Sequence, residues 1–502
     1  MVAPLCAAVV VVFSAFFPGI DGRLLFASYY GDHMVLQKSP QRAVVWGYGP
    51  EGAKITVSLS GPVNQEASPV TVTKGIWKVT LDPVDAGGPY TVNVSSTNYT
   101  AILKDVLFGD IWVCGGQSNM LFQTSQMFNA SEELALAAKY PHVRPFMAAL
   151  KESETELPDL VEVKLPWFVA RADVLSEFSA VCWLFGRYLY DTMKYPIGLV
   201  ESCWGGTPVE TWSSSRALHM CDLDKLEGPH NNSLLWNAMI HPLLNMTIYG
   251  AIWYQGEANT EYHQDKYNCS FPAMIDDWRM AFHQGSGGQT AADFPFGFVQ
   301  LSTNNKKNID DGFPELRWHQ TADFGFVPNA RMKKTFMAVA FDLPDEKSPY
   351  GTIHPRDKQD VALRLLLGAR AVAYNQKDVL FQGPFPLQIE SSQMQINVTY
   401  DQIVNVDSST IIFEICCSET AAPCGSNSLW VPASIMNWGP SNVLLSTSLC
   451  NSSSVAALRY AWKDWPCNFK ACPIYDASNT LPAPPFVAHR RTGGRNHENE
   501  LK

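Results

Sequence analysis

Basic runs are missing from this chain of 502 residues, whose 37 Lys and Arg stand against 48 Asp and Glu for a formal net charge of -11 at pH 7. Nucleic acid and anionic membrane surfaces both require a basic footprint, so neither is expected as a partner. Beyond the first 17 residues there is no apolar run of the length a bilayer demands, and no membrane span is expected in the body of the chain. Internal repeats and long low-complexity segments are lacking as well. The later cysteines form no paired C-x2-C units and have no histidine beside them, which argues against a zinc site, and no metal is expected. Ser118 is followed by Asn119 and Met120 rather than by the second glycine of a Gly-x-Ser-x-Gly elbow, which argues against an ordinary α/β-hydrolase.

What is present describes a globular chain, 46% hydrophobic and 17% charged, long enough for two or three domains. Residues Val2 to Phe17 are nearly all apolar and lead into Pro18-Gly19-Ile20-Asp21-Gly22, the pattern of a secretory signal over 1–22, although no Lys or Arg precedes the run. Eight Asn-x-Ser/Thr sequons, at Asn93, Asn98, Asn129, Asn231, Asn245, Asn268, Asn397 and Asn451, agree with passage through the secretory pathway, to the lysosome or outside the cell. Twelve cysteines become eleven once Cys6 leaves with the signal, so at least one thiol is expected to be free or paired to another chain. The group Cys416, Cys417, Cys424, Cys450, Cys467 and Cys472 reads as a disulfide framework, whereas Cys114 reads as a small buried hydrophobe.

Three rhythms divide the chain. Residues 23–104 alternate short β-prone runs with Gly and Pro turns, which predicts an N-terminal β-sandwich-like domain. From 105 to 375, strands alternate with helices, the mark of an α/β domain with a mostly parallel sheet covered on both faces. Expected strands are Ile111 to Cys114, Ile197 to Ser202, Ala251 to Tyr254, Phe296 to Leu301 and Phe336 to Phe341. Expected helices cover Ser179 to Lys194, Pro272 to His283 and Asp357 to Tyr374. Residues 376–489 return to β-prone runs rich in cysteine, and 490–502 read as a disordered tail.

In an open α/β sheet, ligands bind beyond the carboxyl ends of the strands, so the residues just after each strand form a shortlist. They are Gly115-Gly116-Gln117-Ser118-Asn119, Cys203-Trp204-Gly205-Gly206-Thr207, Gln255-Gly256-Glu257-Ala258-Asn259, then Asp342-Leu343-Pro344-Asp345 and Ile353-His354-Pro355. A nucleophile, glycine and amide donors, carboxylates and a histidine thus converge on one edge, which is the inventory of acyl transfer.

The strings GDIWVCGGQSNM, WGGTP, WYQGEAN and IHPRDK together resemble the SGNH (GDSL-like) hydrolase superfamily, and within it the SASA-type carbohydrate esterases, over nearly the whole chain. The resemblance implies an SGNH-hydrolase-like (flavodoxin-like) three-layer domain flanked by β-rich modules. It also implies a carboxylic ester hydrolase that removes O-acetyl groups, chiefly 9-O-acetyl, from sialic acids free or on glycoconjugates, without a cofactor. Carried over, Ser118 is the nucleophile and His354 the base, and the backbone N–H groups of Ser118 and Gly206 face the oxyanion. Two blocks depart from the superfamily. Where a Gly-x-Asn is usual, the side-chain donor is Gln255 or Asn259. Where an Asp often lies three residues before the histidine, this chain has Gly351, so the third member is Asp342 or Asp345, or a backbone carbonyl completes a dyad. Glu257 orients Gln255 or a loop, and Arg317 grips the substrate carboxylate or packs. Rival readings are an acetylesterase of other polysaccharides and a glycan-binding protein without turnover.

Overall fold

The computed structural model describes residues 23–224, 232–392, 394–418, 424, 428–450, 454–490 and 500–501. The expected signal segment with Cys6, and the sequons Asn231 and Asn451, lie outside the described residues.

The central sheet is ordered Val163–Leu165, Val143–Ala148, Ile197–Cys203, Thr100–Gly116, Gly250–Tyr254, Phe296–Gln300 and Thr335–Val339, and every pairing is parallel except that of the short Val163–Leu165 edge. All five expected strands are present. Val143–Ala148 was not expected from the sequence: Arg144 and Pro145 interrupt its apolar pattern, yet all six of its residues are buried. Strands covered on both faces are apolar throughout rather than alternating, and Ile111, Trp112, Val113 and Cys114 are each 0% exposed. Trp112 meets Phe185 of the Ala180–Met193 helix at 5.0 Å on one face. Trp253 meets Trp278 of the Tyr267–Gly285 helix at 5.7 Å on the other. These contacts make three layers. The Lys358–Gly368 helix continues as a π-helical turn over Ala369–Ala373, close to the expected span.

The strand Thr100–Gly116 is 17 residues long and serves two parts of the molecule. Its first half pairs with Gly87–Ser95, and its second half lies at the centre of the parallel sheet. Between them, Val35–Gln37 adds a parallel strand at Leu107 to Gly109. There Gln37 both donates to Asp110 Oδ1 (2.8 Å) and accepts from the Ile111 N–H (3.0 Å), and Tyr195 and Tyr374 close the other carboxylate oxygen of Asp110. One apolar core runs without a break from Leu24 to Ala373. A second core, from Val339 to Ala488, belongs to a nine-stranded C-terminal sheet. Of the tail expected to be disordered, residues 491–499 and 502 lie outside the described residues, and Glu500–Leu501 pairs between Phe486–Arg490 and Pro386–Ser391 in that sheet.

Candidate active site

The central strand stops at Gly116, whose φ of +134° suits glycine, and a Cβ there would lie 2.1 Å from the Tyr254 carbonyl oxygen. The close approach has a purpose in the weave. Gln117 N–H donates to Tyr254 O (2.9 Å) and Trp204 N–H to Gly116 O (3.0 Å), so three strand ends are sewn together before the chain turns into the short Ser118–Leu121 helix. Ser118 is left half-buried at the floor of a cavity of about 560 Å³, whose walls include Gln117, Gly206, Glu257, Tyr262 and His354.

His354 Nε2 lies 2.8 Å from Ser118 Oγ, and His354 Nδ1 lies 2.8 Å from the Tyr350 carbonyl oxygen. A carbonyl only accepts, so the Nδ1 proton is held there and the lone pair of Nε2 faces the serine hydroxyl. The loop that achieves this depends on Gly351, at φ +92°, whose carbonyl accepts the His354 N–H (2.9 Å). Ser348 Oγ donates to the His354 carbonyl (2.7 Å) and fixes the far side of the same loop. Burial holds the His354 imidazole below its ordinary value; the Tyr350 carbonyl opposes this, and the Lys358 charge adds to it. A neutral histidine is the form a general base requires.

Neither expected carboxylate reaches His354. Asp342 is fully buried in a bidentate pair with Arg364 (2.6 and 2.8 Å) and accepts from Tyr475 Oη (2.9 Å). Asp345 pairs with Arg356 (2.6 and 3.0 Å) and accepts its backbone N–H. Each carboxylate has neutralised a nearer cation instead.

The third-block amides are equally committed. Gln255 Nε2 donates to Asn259 Oδ1 (2.8 Å) and Thr207 O (3.2 Å), while Gln255 Oε1 accepts from Tyr267 Oη (2.8 Å). Asn259 Nδ2 donates to Glu210 Oε2 and Tyr262 O (both 3.0 Å), and its oxygen also accepts the Val209 N–H (2.9 Å). Both side chains are 0% exposed, so as arranged neither offers an N–H to the cavity. By contrast, no acceptor among the described residues takes the backbone N–H of Ser118 or Gly206.

Glu257 is bonded to the turn that carries Ser118 and not to Gln255. Its Oε1 accepts from Asn119 Nδ2 (2.6 Å), Asn119 Nδ2 also donates to Ile353 O (2.9 Å), and Lys358 Nζ donates to Asn119 Oδ1 (2.7 Å). Asn119 thereby ties the serine turn to the residue before His354. Burial raises the Glu257 carboxyl and pushes Lys358 down to about 7. The roles of Asn119 and Lys358 were missed in the sequence, although both stand inside the diagnostic strings.

Residues 108–348 match the family described as carbohydrate esterase, sialic acid-specific acetylesterase, and residues 386–490 match the sialate O-acetylesterase C-terminal domain. The chain is 49% identical over 501 residues to the human sialate O-acetylesterase, covering 95% of this chain and 94% of that protein. It is also 49% identical to the mouse sialate O-acetylesterase, with 92% and 94% covered. The chain belongs to the sialate O-acetylesterase family. Its fold is similar to the crystal structure of a carbohydrate acetylesterase from Xanthomonas citri, with a TM-score of 0.78 and 28% identity over 92% of this chain and 99% of that one.

In this member of the sialate O-acetylesterase family, Arg317 is not at the cavity. It is 0% exposed and donates to the carbonyls of Leu301 (2.9 Å), Ser302, Lys463 and Asp464 (2.7 Å each). Cys114 is no free hydrophobe but forms a disulfide with Cys182, pinning the strand that ends at Gly116 to the Ala180–Met193 helix. Cys221 pairs with Cys269, and the C-terminal cysteines pair as Cys416–Cys424, Cys417–Cys450 and Cys467–Cys472. Among the described residues Cys203 is the one free cysteine. Of the sequons, Asn98 and Asn129 are exposed, and Asn93, Asn245, Asn268 and Asn397 are half-buried.

Proposed function

We propose that this chain is a serine esterase that hydrolyses O-acetyl esters of sialic acids, chiefly the 9-O-acetyl ester, through an acetyl-serine intermediate. The observation that carries the reading is the 2.8 Å contact between Ser118 Oγ and a His354 ring that a carbonyl holds from behind. His354 Nε2 takes the hydroxyl proton as Ser118 Oγ attacks the acetyl carbonyl. Charge gathers on the acetyl oxygen and is met by the backbone N–H groups of Ser118 and Gly206, both of which line the cavity. Collapse expels the sugar alkoxide, which receives the proton from His354, and water then repeats the sequence on the acetyl-serine to release acetate. Tyr350 O supports the imidazolium in the place where a carboxylate would otherwise stand, so Ser118 and His354 work as a dyad.

The substrate assignment is supported by the family to which the chain belongs and by its relatives' names. Five disulfides support an oxidising compartment in the secretory pathway, lysosomal or extracellular, with glycans at the sequons. Replacing Ser118→Ala is expected to lower kcat on a 9-O-acetyl sialoside by at least about 10⁴-fold with an unchanged unfolding transition. Retained turnover would remove Ser118 from the mechanism. Side-by-side kinetics on acetylxylan test the substrate class, because equal kcat/KM values would mean a general carbohydrate acetylesterase. Labelling of Ser118 by a fluorophosphonate separates either enzyme from a glycan-binding protein.

A further inference from the structure

Gln117 carries a side-chain amide that the fold orients and then leaves open. Its Oε1 accepts the backbone N–H groups of Gly256 (3.3 Å) and Ala258 (3.2 Å). Two donors aimed at one atom decide which end of a carboxamide is which, because an NH2 group cannot accept. The Nε2 is thereby turned away from the third block and toward the cavity that Gln117 lines beside Ser118 and Gly206. Among the described residues no acceptor takes its protons, although the residue is only 3% exposed. Unlike Glu257 Oε2, which is buried without a partner, the Gln117 Nε2 is not sealed in: it is open to the cavity and can donate to what enters there.

The neighbouring chemistry says what that acceptor is. A tetrahedral intermediate on Ser118 needs hydrogen-bond donors around its oxygen, and a side-chain amide often joins two backbone N–H groups in that duty. Gln255 and Asn259 are spent on Thr207, Glu210, Tyr262 and each other. We infer that Gln117 Nε2 is the side-chain donor of the oxyanion hole, a catalytic residue that contacts the acetyl oxygen as it becomes negative. The inference rests on Ser118 being the nucleophile. A consequence follows for the third block: the N–H groups of Gly256 and Ala258 act on the reaction only through Gln117, by fixing its amide.

Gln117→Glu separates catalysis from anchoring, because it keeps an oxygen for Gly256 and Ala258 and exchanges the donor for an acceptor. The full-length protein would be assayed on 4-nitrophenyl acetate and on 9-O-acetyl-N-acetylneuraminic acid. Rates are taken on the pH-independent plateau, so that a displaced His354 titration is not read as lost catalysis. The expected result is a fall in kcat of about 100- to 1000-fold on both esters. KM should stay within about threefold, the unfolding midpoint should stay at the wild-type value, and phosphonylation of Ser118 by a fluorophosphonate should slow in parallel. Gln117→Ala is expected to lose both kcat and thermal stability, since it removes the anchor too. Gln117→Glu turnover within about tenfold of wild type on both esters would overturn the inference. So would a loss confined to the sialate ester, because that outcome makes Gln117 a sugar contact. Ser118→Ala, run in the same series on 4-nitrophenyl acetate, reports separately on the nucleophile: retained turnover there would fail the underlying reading itself.

Discussion

The carboxyl edge of the parallel sheet and the seam where that sheet meets the C-terminal strands both carry paired charged and amide side chains at strand ends, yet only the edge also leaves donors and a serine–histidine pair uncommitted. At the seam the charged groups named as candidates are consumed. Arg317 spends its guanidinium on four carbonyls, and Asp342 binds Arg364 and Tyr475 with both oxygens. Lys470 N–H and the Thr480 carbonyl extend the same clamp across the boundary through Asp342 O and Arg364. At the edge, Ser118 and His354 are half-buried, their side chains hydrogen-bond only to each other and to one carbonyl, and the N–H groups of Ser118 and Gly206 keep no acceptor among the described residues. Saturated polar groups hold a protein together, and reactive chemistry needs groups left incomplete. Asp342 and Arg317 have the residue types of an active site and the surroundings of a bolt.

Substitutions on the two sides should therefore fail in different ways. Asp342→Ala leaves Arg364 buried without its partner and should cost about 3–5 kcal/mol of stability. The folded remainder should keep kcat within threefold, as chemical denaturation and active-site titration of one preparation would show. A 10⁴-fold loss of kcat at wild-type stability would restore Asp342 as a triad acid and end the contrast. On the edge, Asn119→Ala cuts the tie from the serine turn to Ile353 O, and kcat should fall about ten- to a hundredfold, because the His354 to Ser118 distance is no longer held. Lys358→Met removes a positive charge that helps to hold the His354 pKa down. The base works only when neutral, so its rise should move the acid limb of the kcat/KM profile to higher pH, whereas a limb that stays put or moves down would contradict the assigned coupling. Asp345→Asn, which weakens a rim pair with the partly exposed Arg356, should change stability by less than about 1 kcal/mol and leave the profile alone.

Much of this architecture was legible because strand-end glycines and apolar strands leave strong marks. That Ser118 would stand at a strand end was readable from the glycines before it, and that His354 would meet it on the same edge from its place after the last strand of the sheet. The support behind His354 was not, because a backbone carbonyl is common to every residue and leaves no trace in a sequence; the trace it did leave was Gly351, where an aspartate is usual. Gln255 and Asn259 were plausible donors by residue type, and only packing shows that Glu210, Tyr262 and Thr207 had already engaged them. Cys114 lay in an apolar strand and Cys182 in an apolar helix, so a disulfide looked like core. The strand Thr100–Gly116 runs through the boundary expected between 104 and 105, because a β-ladder can pass from one sheet partner to the next without any change of composition.

Placing a carbonyl behind the histidine has a consequence for work in acid. A carboxylate in that position would itself take up a proton as the medium acidifies, and the base would lose its orientation along with its lone pair. The Tyr350 carbonyl has no such titration in any biological range. Acid therefore cannot displace the His354 ring by way of the group behind it, and neutralising the medium should restore a ring still held by that carbonyl.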